Sequence, residues 1–133
     1  FFLFAIKFNY GSSGFQFLKT ENGQVFEGIL KVSKELGTVD NTMFVVGATK
    51  AALMQKVRKI VPDNFLLVPG VGVQGGSLTE VAKHGLNDKC GLLVNSSRGI
   101  IYASQGEDFA EAARAQALIM QQQMEVILDE AGL

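Results

Sequence analysis

Apolar residues are concentrated in four short runs along this chain, and each run is followed by a stretch with helical spacing. The runs are FLFAIKF (2–8), MFVVG (43–47), FLLV (65–68) and GLLVN (91–95). They are apolar throughout and do not alternate with polar positions, which is typical of strands buried on both faces of a sheet. The pattern therefore predicts four strands of a parallel sheet.

The first two helical stretches follow the first two runs. Between residues 24 and 36 apolar side chains recur every three or four positions, and Gly37 is placed to end the helix. Thr49 is predicted to cap the second helix, which Pro62 ends. The expected inner faces are Val25, Phe26, Ile29, Val32 and Leu36 in the first helix and Leu53, Met54, Val57 and Ile60 in the second.

Two capping boxes predict the starts of the later helices. Ser77 to Glu80 opens a short helix that Gly85 ends, and Ser104 to Glu107 is predicted to open the longest helix. The expected inner face of the longest helix is Phe109, Ala112, Ala113, Gln116, Ala117, Met120, Met124 and Ile127.

Four strand-helix units in succession predict an α/β fold with a parallel sheet covered by helices. They amount to half of a (β/α)8 TIM barrel, whose usual length of about 250 residues is close to twice the 133 residues of this chain. A small doubly wound sheet would give the same pattern. FFLFAI opens the chain without a methionine, so we expect residues 1–133 to be a piece of a longer polypeptide that supplies about half of a single barrel domain.

Composition narrows the class of protein. The chain is 47% hydrophobic and 19% charged with a net charge of −1, as in a globular protein without a basic face for nucleic acid or an anionic membrane. Its single cysteine, Cys90, excludes an internal disulfide and a cysteine-rich zinc site and suits a reducing cytoplasm. No apolar run approaches the roughly 18 residues that cross a bilayer. We therefore expect no nucleic-acid or membrane partner and a cytoplasmic location.

The loop after the third run is rich in glycine. FLLVPGVGVQGG (65–76) ends a predicted buried strand in Pro69 and Gly70, with Gly72 and Gln74 beyond. At a strand-to-helix junction, backbone N–H groups can point at an anion, and glycine lets the backbone approach it closely. The alternative is an ordinary tight loop, since the sequence matches neither the Walker pattern nor the dinucleotide fingerprint.

A second candidate loop follows the fourth run. VNSSRGI (94–100) supplies two serine hydroxyls (Ser97 is one of them), the flexible Gly99 and the guanidinium of Arg98, whose planar fork suits a pair of phosphate oxygens. Barrel enzymes commonly bind phosphate at the loops after strands seven and eight. Together the two loops predict a phosphate site, although Arg98 could instead pair with a carboxylate on a neighbouring helix.

Three other residues have less support as site residues. We expect His84 to be a helix C-terminal cap or an exposed side chain, and Cys90 to be structural. Lys7, at the end of the first strand, faces the same rim as the two loops and could line the site, or could be a simple exposed lysine. The sequence has no metal-ligand spacing and no Ser-His-Asp set.

FLLVPGVGVQGG followed by GLLVNSSRGIIYAS, with VVGAT before them, resembles the C-terminal half of orotidine 5′-phosphate decarboxylase, in its longer-chain bacterial branch. The resemblance covers Val45 to Ser104 and extends over the final helix. It implies a homodimeric barrel that makes UMP from orotidine 5′-phosphate by releasing carbon dioxide, without a cofactor.

The resemblance also assigns roles to residues. Gln74 and Arg98 would bind the substrate phosphate, a backbone amide near Ser97 to Gly99 would assist, and Pro69 and Gly70 would line the pocket. Two features depart from the family. The loop from Lys7 to Gly11 lacks the usual threonine and proline, and the catalytic lysine and aspartate residues of strands one to three have no counterpart, so this segment holds no catalytic residue.

Two other functions stay open at this point. One is another phosphate-binding barrel enzyme, such as a sugar-phosphate isomerase. The other is a non-catalytic half-barrel that associates with itself or with a partner, because a half-barrel exposes two sheet edges and an unclosed core.

Overall fold

The structure, a computed structural model, describes residues 2–6 and 13–133. Along the chain the elements are β1 (Phe2–Ile6), α1 (Ser13–Gln16), β2 (Lys19–Thr20), β3 (Gly23–Gln24), α2 (Val25–Leu36), β4 (Thr42–Val46), a 3₁₀ helix (Ala48–Leu53), α3 (Met54–Ile60), β5 (Leu66–Pro69), α4 (Leu78–Gly85), β6 (Leu92–Asn95), α5 (Ser97–Ile101) and α6 (Phe109–Ala131). The four predicted strands are present, while β2, β3, α1 and α5 were not predicted.

The main sheet contains β1, β4, β5 and β6, all parallel and in chain order. In register, Phe4 lies opposite Phe44, Phe44 opposite Leu66, and Leu66 opposite Leu92. A doubly wound sheet reverses its strand order at a switch point. Consecutive order without reversal is the arrangement of a barrel wall, so the doubly wound alternative is wrong.

The core lies on one face of this sheet. Side chains that alternate along the strands pack there against the helices: Phe44, Val46, Leu66, Val68 and Leu92 meet Phe26, Leu30, Met54, Val57 and Val81. The positions between them are less covered, and the exposed fraction of Leu93 is 52%. Strands buried on both faces were predicted, and this is wrong for β6. Within residues 13–133 helices cover a single face.

The inner face of α2 also differs from the prediction. Phe26, Leu30 and Ser33 are buried, whereas Val32 and Leu36, expected inside, are 55% and 63% exposed. The buried positions are spaced four and three residues apart, so they form one row along the helix. Next to this buried row, α2 carries a second apolar row that includes Val32 and Leu36. The sequence alone did not show which of the two rows faces the sheet.

One predicted helix end and one predicted helix start are confirmed. Gly37 follows the last residue of α2. The Ser77 hydroxyl accepts a hydrogen bond from the Glu80 N–H at 3.3 Å, which caps α4.

Two predicted helix starts are wrong. Thr49 lies inside the 3₁₀ helix, and α3 begins at Met54. The Ser104 hydroxyl donates to Oδ1 of Asp108 at 2.6 Å, and α6 begins only at Phe109. The Ser104 oxygen accepts a hydrogen bond from the Gly106 N–H at 3.1 Å, so a local turn takes the place of the predicted cap.

The long helix α6 packs as predicted along part of its length. Met120, Met124 and Ile127 contact the core, but Phe109, Gln116 and Ala117 are exposed. Within the part of the chain that the structure describes, no helix is long and apolar enough to span a membrane.

Arg58 joins several segments at the amino ends of β5 and β6. Its guanidinium donates to the carbonyl oxygens of Asn64 at 2.6 Å, Gly85 at 2.6 Å and Gly91 at 2.7 Å. Two further carbonyls, those of Val61 and Pro62, accept at 3.3 and 3.2 Å. Burial lowers the pKa of Arg58 to about 10, which still leaves the side chain charged at neutral pH.

Candidate functional site

The two candidate loops lie side by side at the carboxyl edge of the sheet. Pro69, the last residue of β5, is the register partner of Asn95, the last residue of β6. Because the strands are parallel, the segments that follow them leave the same edge. The predicted placement of both loops is confirmed.

The glycine loop is tightly folded on itself. Gly70, Gly72 and Gly75 have φ values of +92°, +82° and +88°, a region that side chains other than glycine rarely adopt. A Cβ atom at Gly76 would collide with the Ala48 side chain and lie 2.5 Å from the carbonyl oxygen of Gly70. Glycine is therefore required here by the path of the backbone.

Three backbone amides of this loop are engaged within the loop. The N–H of Gly72 donates to the carbonyl of Gly76 at 2.9 Å, that of Gly75 to Gly72 at 2.7 Å, and that of Gly76 to Gly70 at 3.1 Å. The expectation that the glycine amides point at an anion is therefore wrong for these three. The polar side chain that the loop leaves exposed is that of Gln74.

The second loop turns directly into α5. The first amide-to-carbonyl hydrogen bond runs from Ile100 to Ser96 at 3.2 Å, so the amides of Ser97, Arg98 and Gly99 precede the bonded part of the helix. The Arg98 side chain is exposed. The ion pairs found among the described residues do not include Arg98, so pairing with a neighbouring carboxylate has no support there.

The two serine hydroxyls of this loop are both engaged. Ser97, which is exposed, donates to Oδ1 of Asn95 at 2.9 Å. Ser96 is buried and donates to the carbonyl oxygen of Val71 at 2.9 Å, across to the glycine loop. From the sequence, both hydroxyls were candidates for binding a ligand. In the structure, the Ser96 hydroxyl instead joins the two loops.

The loops enclose a cavity of about 230 Å³ together with the middle of α6. Its walls are formed by Val71, Gly72, Val73, Ser96, Gly99, Ile100, Gln116, Ile119, Met120 and Gln123. Gln116 and Gln123 bring side-chain amides from α6 to the side of the loops, a contribution that the sequence analysis missed because it placed Gln116 in the core.

The structure also places the other sequence candidates. Pro69 is half-buried and Gly70 is buried at the start of the glycine loop. His84 is neither a simple cap nor an exposed residue, because its ring contacts Gln55 Nε2 at 2.8 Å and Glu80 Oε2 at 3.3 Å.

Two candidates lie away from the loops or outside the described residues. Cys90 lies at the opposite edge of the sheet in a turn with φ +68°. Lys7 lies outside the described residues. Among residues 13–133, no three His, Cys, Asp or Glu side chains are grouped to hold a metal ion.

The consecutive parallel strand-helix units, with two loops meeting at the carboxyl edge, define an α/β protein of the (β/α)8 barrel class. Curated relatives identify it further. The chain is 55% identical over 127 residues to orotidine 5′-phosphate decarboxylase of Flavobacterium johnsoniae, covering 96% of this chain and 46% of the relative. It is 49% identical over 132 residues to the same enzyme of Porphyromonas gingivalis, covering 98% and 48%.

Solved structures agree with these relatives. Leishmania donovani OMP decarboxylase matches with a TM-score of 0.66 and 30% identity, over 85% of this chain and 42% of that chain. Leishmania donovani UMP synthase matches with a TM-score of 0.72 and 32% identity, over 90% and 26%. No family model matches the chain.

The chain is thus homologous, over nearly its whole length, to orotidine 5′-phosphate decarboxylases. It spans about half the length of the curated relatives it matches. The family resemblance and the fold class predicted from the sequence are confirmed.

Proposed function

We propose that the protein containing this segment decarboxylates orotidine 5′-phosphate to UMP, and that the two loops bind the phosphate group of the nucleotide. The observation that carries the proposal is the hydrogen-bonded pair of loops at the carboxyl edge, one with Gln74 and the other with Arg98. It occurs in a chain whose relatives are named for this reaction.

The donors at this edge suit a phosphate. Arg98 offers a fork of N–H groups without a carboxylate partner among the described residues, and Gln74 offers a neutral amide N–H. The amides of Ser97 and Gly99, at the start of α5, add backbone donors. Pro69, Gly70 and Gly72 stay predicted lining residues of the pocket, and the two glycines add no side-chain bulk there.

Besides phosphate binding, decarboxylation needs groups that act at the reacting carbon. When the carboxylate leaves as carbon dioxide, negative charge develops on a ring carbon, and a positioned cation must stabilise and then protonate that carbon. In our proposal the phosphate site supplies binding energy remote from the reacting carbon, which helps to hold the ring in place. Lys7 stays a predicted wall residue, and the proton donor is expected from strands outside this segment.

The resemblance further supports a homodimer in the cytoplasm, with UMP or orotidine 5′-phosphate as the small-molecule partner. Analytical ultracentrifugation of the full-length protein tests the dimer. A sedimentation coefficient of a monomer at micromolar concentration would contradict it.

The proposed function is tested by comparing UMP with uridine, which lacks the phosphate. In the full-length protein, Arg98→Ala should weaken UMP binding about 10- to 100-fold, because a charge-assisted hydrogen bond contributes about 1.5–3 kcal/mol. Uridine binding should stay unchanged. Isothermal titration calorimetry measures both dissociation constants.

Arg114→Ala is the matched control, since Arg114 is an exposed arginine on α6, outside the two loops. It should leave both constants unchanged. Equal losses for UMP and uridine in Arg98→Ala would contradict the phosphate role of Arg98. Release of labelled carbon dioxide from orotidine 5′-phosphate tests the reaction itself, and turnover of a sugar phosphate in its place would favour an isomerase.

A further inference from the structure

Ser96 occupies an unusual place between the two loops. It follows β6 and is buried, with 7% of its surface exposed. Its hydroxyl donates to the carbonyl of Val71, which lies 25 residues earlier at the start of the glycine loop. Among the hydrogen bonds of the described residues, this is the one that joins the two loops.

The glycines around Ser96 make room for its hydroxyl. A Cβ atom at Gly99 would lie 2.8 Å from the Ser96 Oγ, and one at Gly72 would lie 3.4 Å from it. A side chain at Gly99 would push the hydroxyl away from the Val71 carbonyl. Glycines on both sides of the serine therefore keep the connection between the loops short.

The glycine loop is also held at its start, where Pro69 pairs in register with Asn95, and at Gly76, which packs against Ala48. Its internal backbone hydrogen bonds run between Gly70, Gly72, Gly75 and Gly76 and close the loop upon itself. They fix the shape of the loop but not its distance from α5. The Ser96 hydrogen bond is therefore a direct side-chain link between the loop that carries Gln74 and the loop that carries Arg98.

We propose that Ser96 is a positioning residue for phosphate binding. It holds the glycine loop and the first turn of α5 at the separation that lets Gln74 and Arg98 grip one phosphate group, and it does not itself contact the ligand. The inference rests on the proposed function and assigns to Ser96 a role separate from that of the binding residues.

The test compares two buried serines in the full-length protein. Ser96→Ala removes the connection between the loops, and Ser33→Ala removes a hydroxyl that is equally buried but donates to Ile29 within α2 at 2.7 Å. Ser96→Ala should raise the dissociation constant for UMP about tenfold, because the loss of one buried hydrogen bond changes an equilibrium constant by about that factor. The dissociation constant for uridine should stay unchanged. Ser33→Ala should leave the ratio of the UMP and uridine constants as in the wild type.

A double variant separates positioning from general weakening. If Ser96 acts by placing Arg98, then adding Ser96→Ala to Arg98→Ala should cause much less further loss of UMP affinity than Ser96→Ala causes alone. Fully additive losses would overturn the proposal. Ser96→Cys, which keeps the size and a weak donor, takes the place of Ser96→Ala if that variant does not fold, and it should show a smaller loss of the same kind.

The outcomes separate the two proposals. A wild-type protein that binds UMP no better than uridine would overturn the proposed function, and the role of Ser96 with it. A wild-type protein that prefers UMP, together with a Ser96→Ala variant that keeps the same preference as Ser33→Ala, would overturn the role of Ser96 alone. A UMP-specific loss in Ser96→Ala that is not additive with Arg98→Ala supports it.

Discussion

At the scale of single residues, Arg58 and Arg98 show how differently one side-chain type is used at the two edges of the sheet. Arg58 is largely buried at the amino edge and donates to five carbonyl oxygens. Arg98 is exposed at the carboxyl edge, with no ion pair in the described part of the chain. The first arrangement stabilises the fold, and the second leaves a cation available to a ligand.

Replacing Arg58 tests its structural role. Arg58→Ala should lower the free energy of unfolding by about 3 kcal/mol or more, because several partly buried carbonyls lose a charged donor at once. Lys59→Ala is the control, since Lys59 is the exposed neighbour on the same helix and should change stability by less than about 0.5 kcal/mol. Urea denaturation followed by circular dichroism measures both, and similar values for the two variants would contradict the role of Arg58.

The two arginines also differ in how far the sequence reveals their roles. The residues around Arg98 carried a recognisable motif, so its place in a candidate site could be predicted. Nothing next to Arg58 in the sequence indicates that it bonds to Gly85 and Gly91. Its acceptors are backbone carbonyls, which every residue has, and folding alone decides which of them come within reach.

At the scale of elements, the glycine loop is held by close packing against its neighbours. Gly76 has no space for a side chain, because a Cβ atom there would meet Ala48, in the 3₁₀ helix, and the carbonyl of Gly70. Gly75 has open space but a φ of +88°. The two adjacent glycines are therefore required for different reasons, one for its packing and the other for its backbone conformation.

Alanine substitutions at these adjacent glycines should separate the two reasons. Gly76→Ala should cost about 3 kcal/mol, since a backbone carbonyl cannot move aside as a side chain can. Gly75→Ala should cost about 1 kcal/mol, from the left-handed backbone conformation alone. Thermal unfolding of both variants measures the difference, and equal costs would show that the loop adjusts at Gly76.

Helix starts illustrate the same dependence on neighbours. Ser77 and Ser104 both stand three residues before a glutamate, yet only Ser77 caps its helix. The Ser104 oxygen accepts from the Gly106 N–H and its hydroxyl donates to Asp108, so a local turn replaces the cap that the capping box predicted.

At the scale of the whole molecule, the sheet is covered unequally. Leu92 is 6% exposed and faces the helices, while the adjacent Leu93 points to the other face and is 52% exposed. In a closed barrel that other face lines the interior. The chain spans about half the length of its curated relatives, so we expect Leu93 to be buried in a protein with a complete barrel.

The neighbouring leucines provide a paired test. In the 133-residue chain, Leu92→Ala should cost about 2–5 kcal/mol, and Leu93→Ala should cost less than about 1 kcal/mol because little apolar surface is withdrawn from water there. In the full-length protein the cost of Leu93→Ala should approach that of Leu92→Ala. A small cost for Leu93→Ala in both proteins would show that this face stays open.

Features that depend on local patterns could be predicted from the amino-acid sequence. Apolar runs located the four main strands, and the spacing of the helical stretches placed the longer helices between and after them. Glycine, proline and arginine motifs located the two loops that form the candidate site. Each of these features is specified within a short stretch of chain, by backbone preference or by side-chain periodicity.

Features that depend on distant neighbours are set when the chain folds. The tertiary structure selected Leu30 over Val32 for the core, left Leu93 exposed, and used the Ser96 hydroxyl to connect two loops. It also paired three amides of the glycine loop within the loop itself. Which face of an element is covered, and which donor finds which acceptor, depends on the atoms that folding brings alongside it, and a local sequence pattern does not contain them.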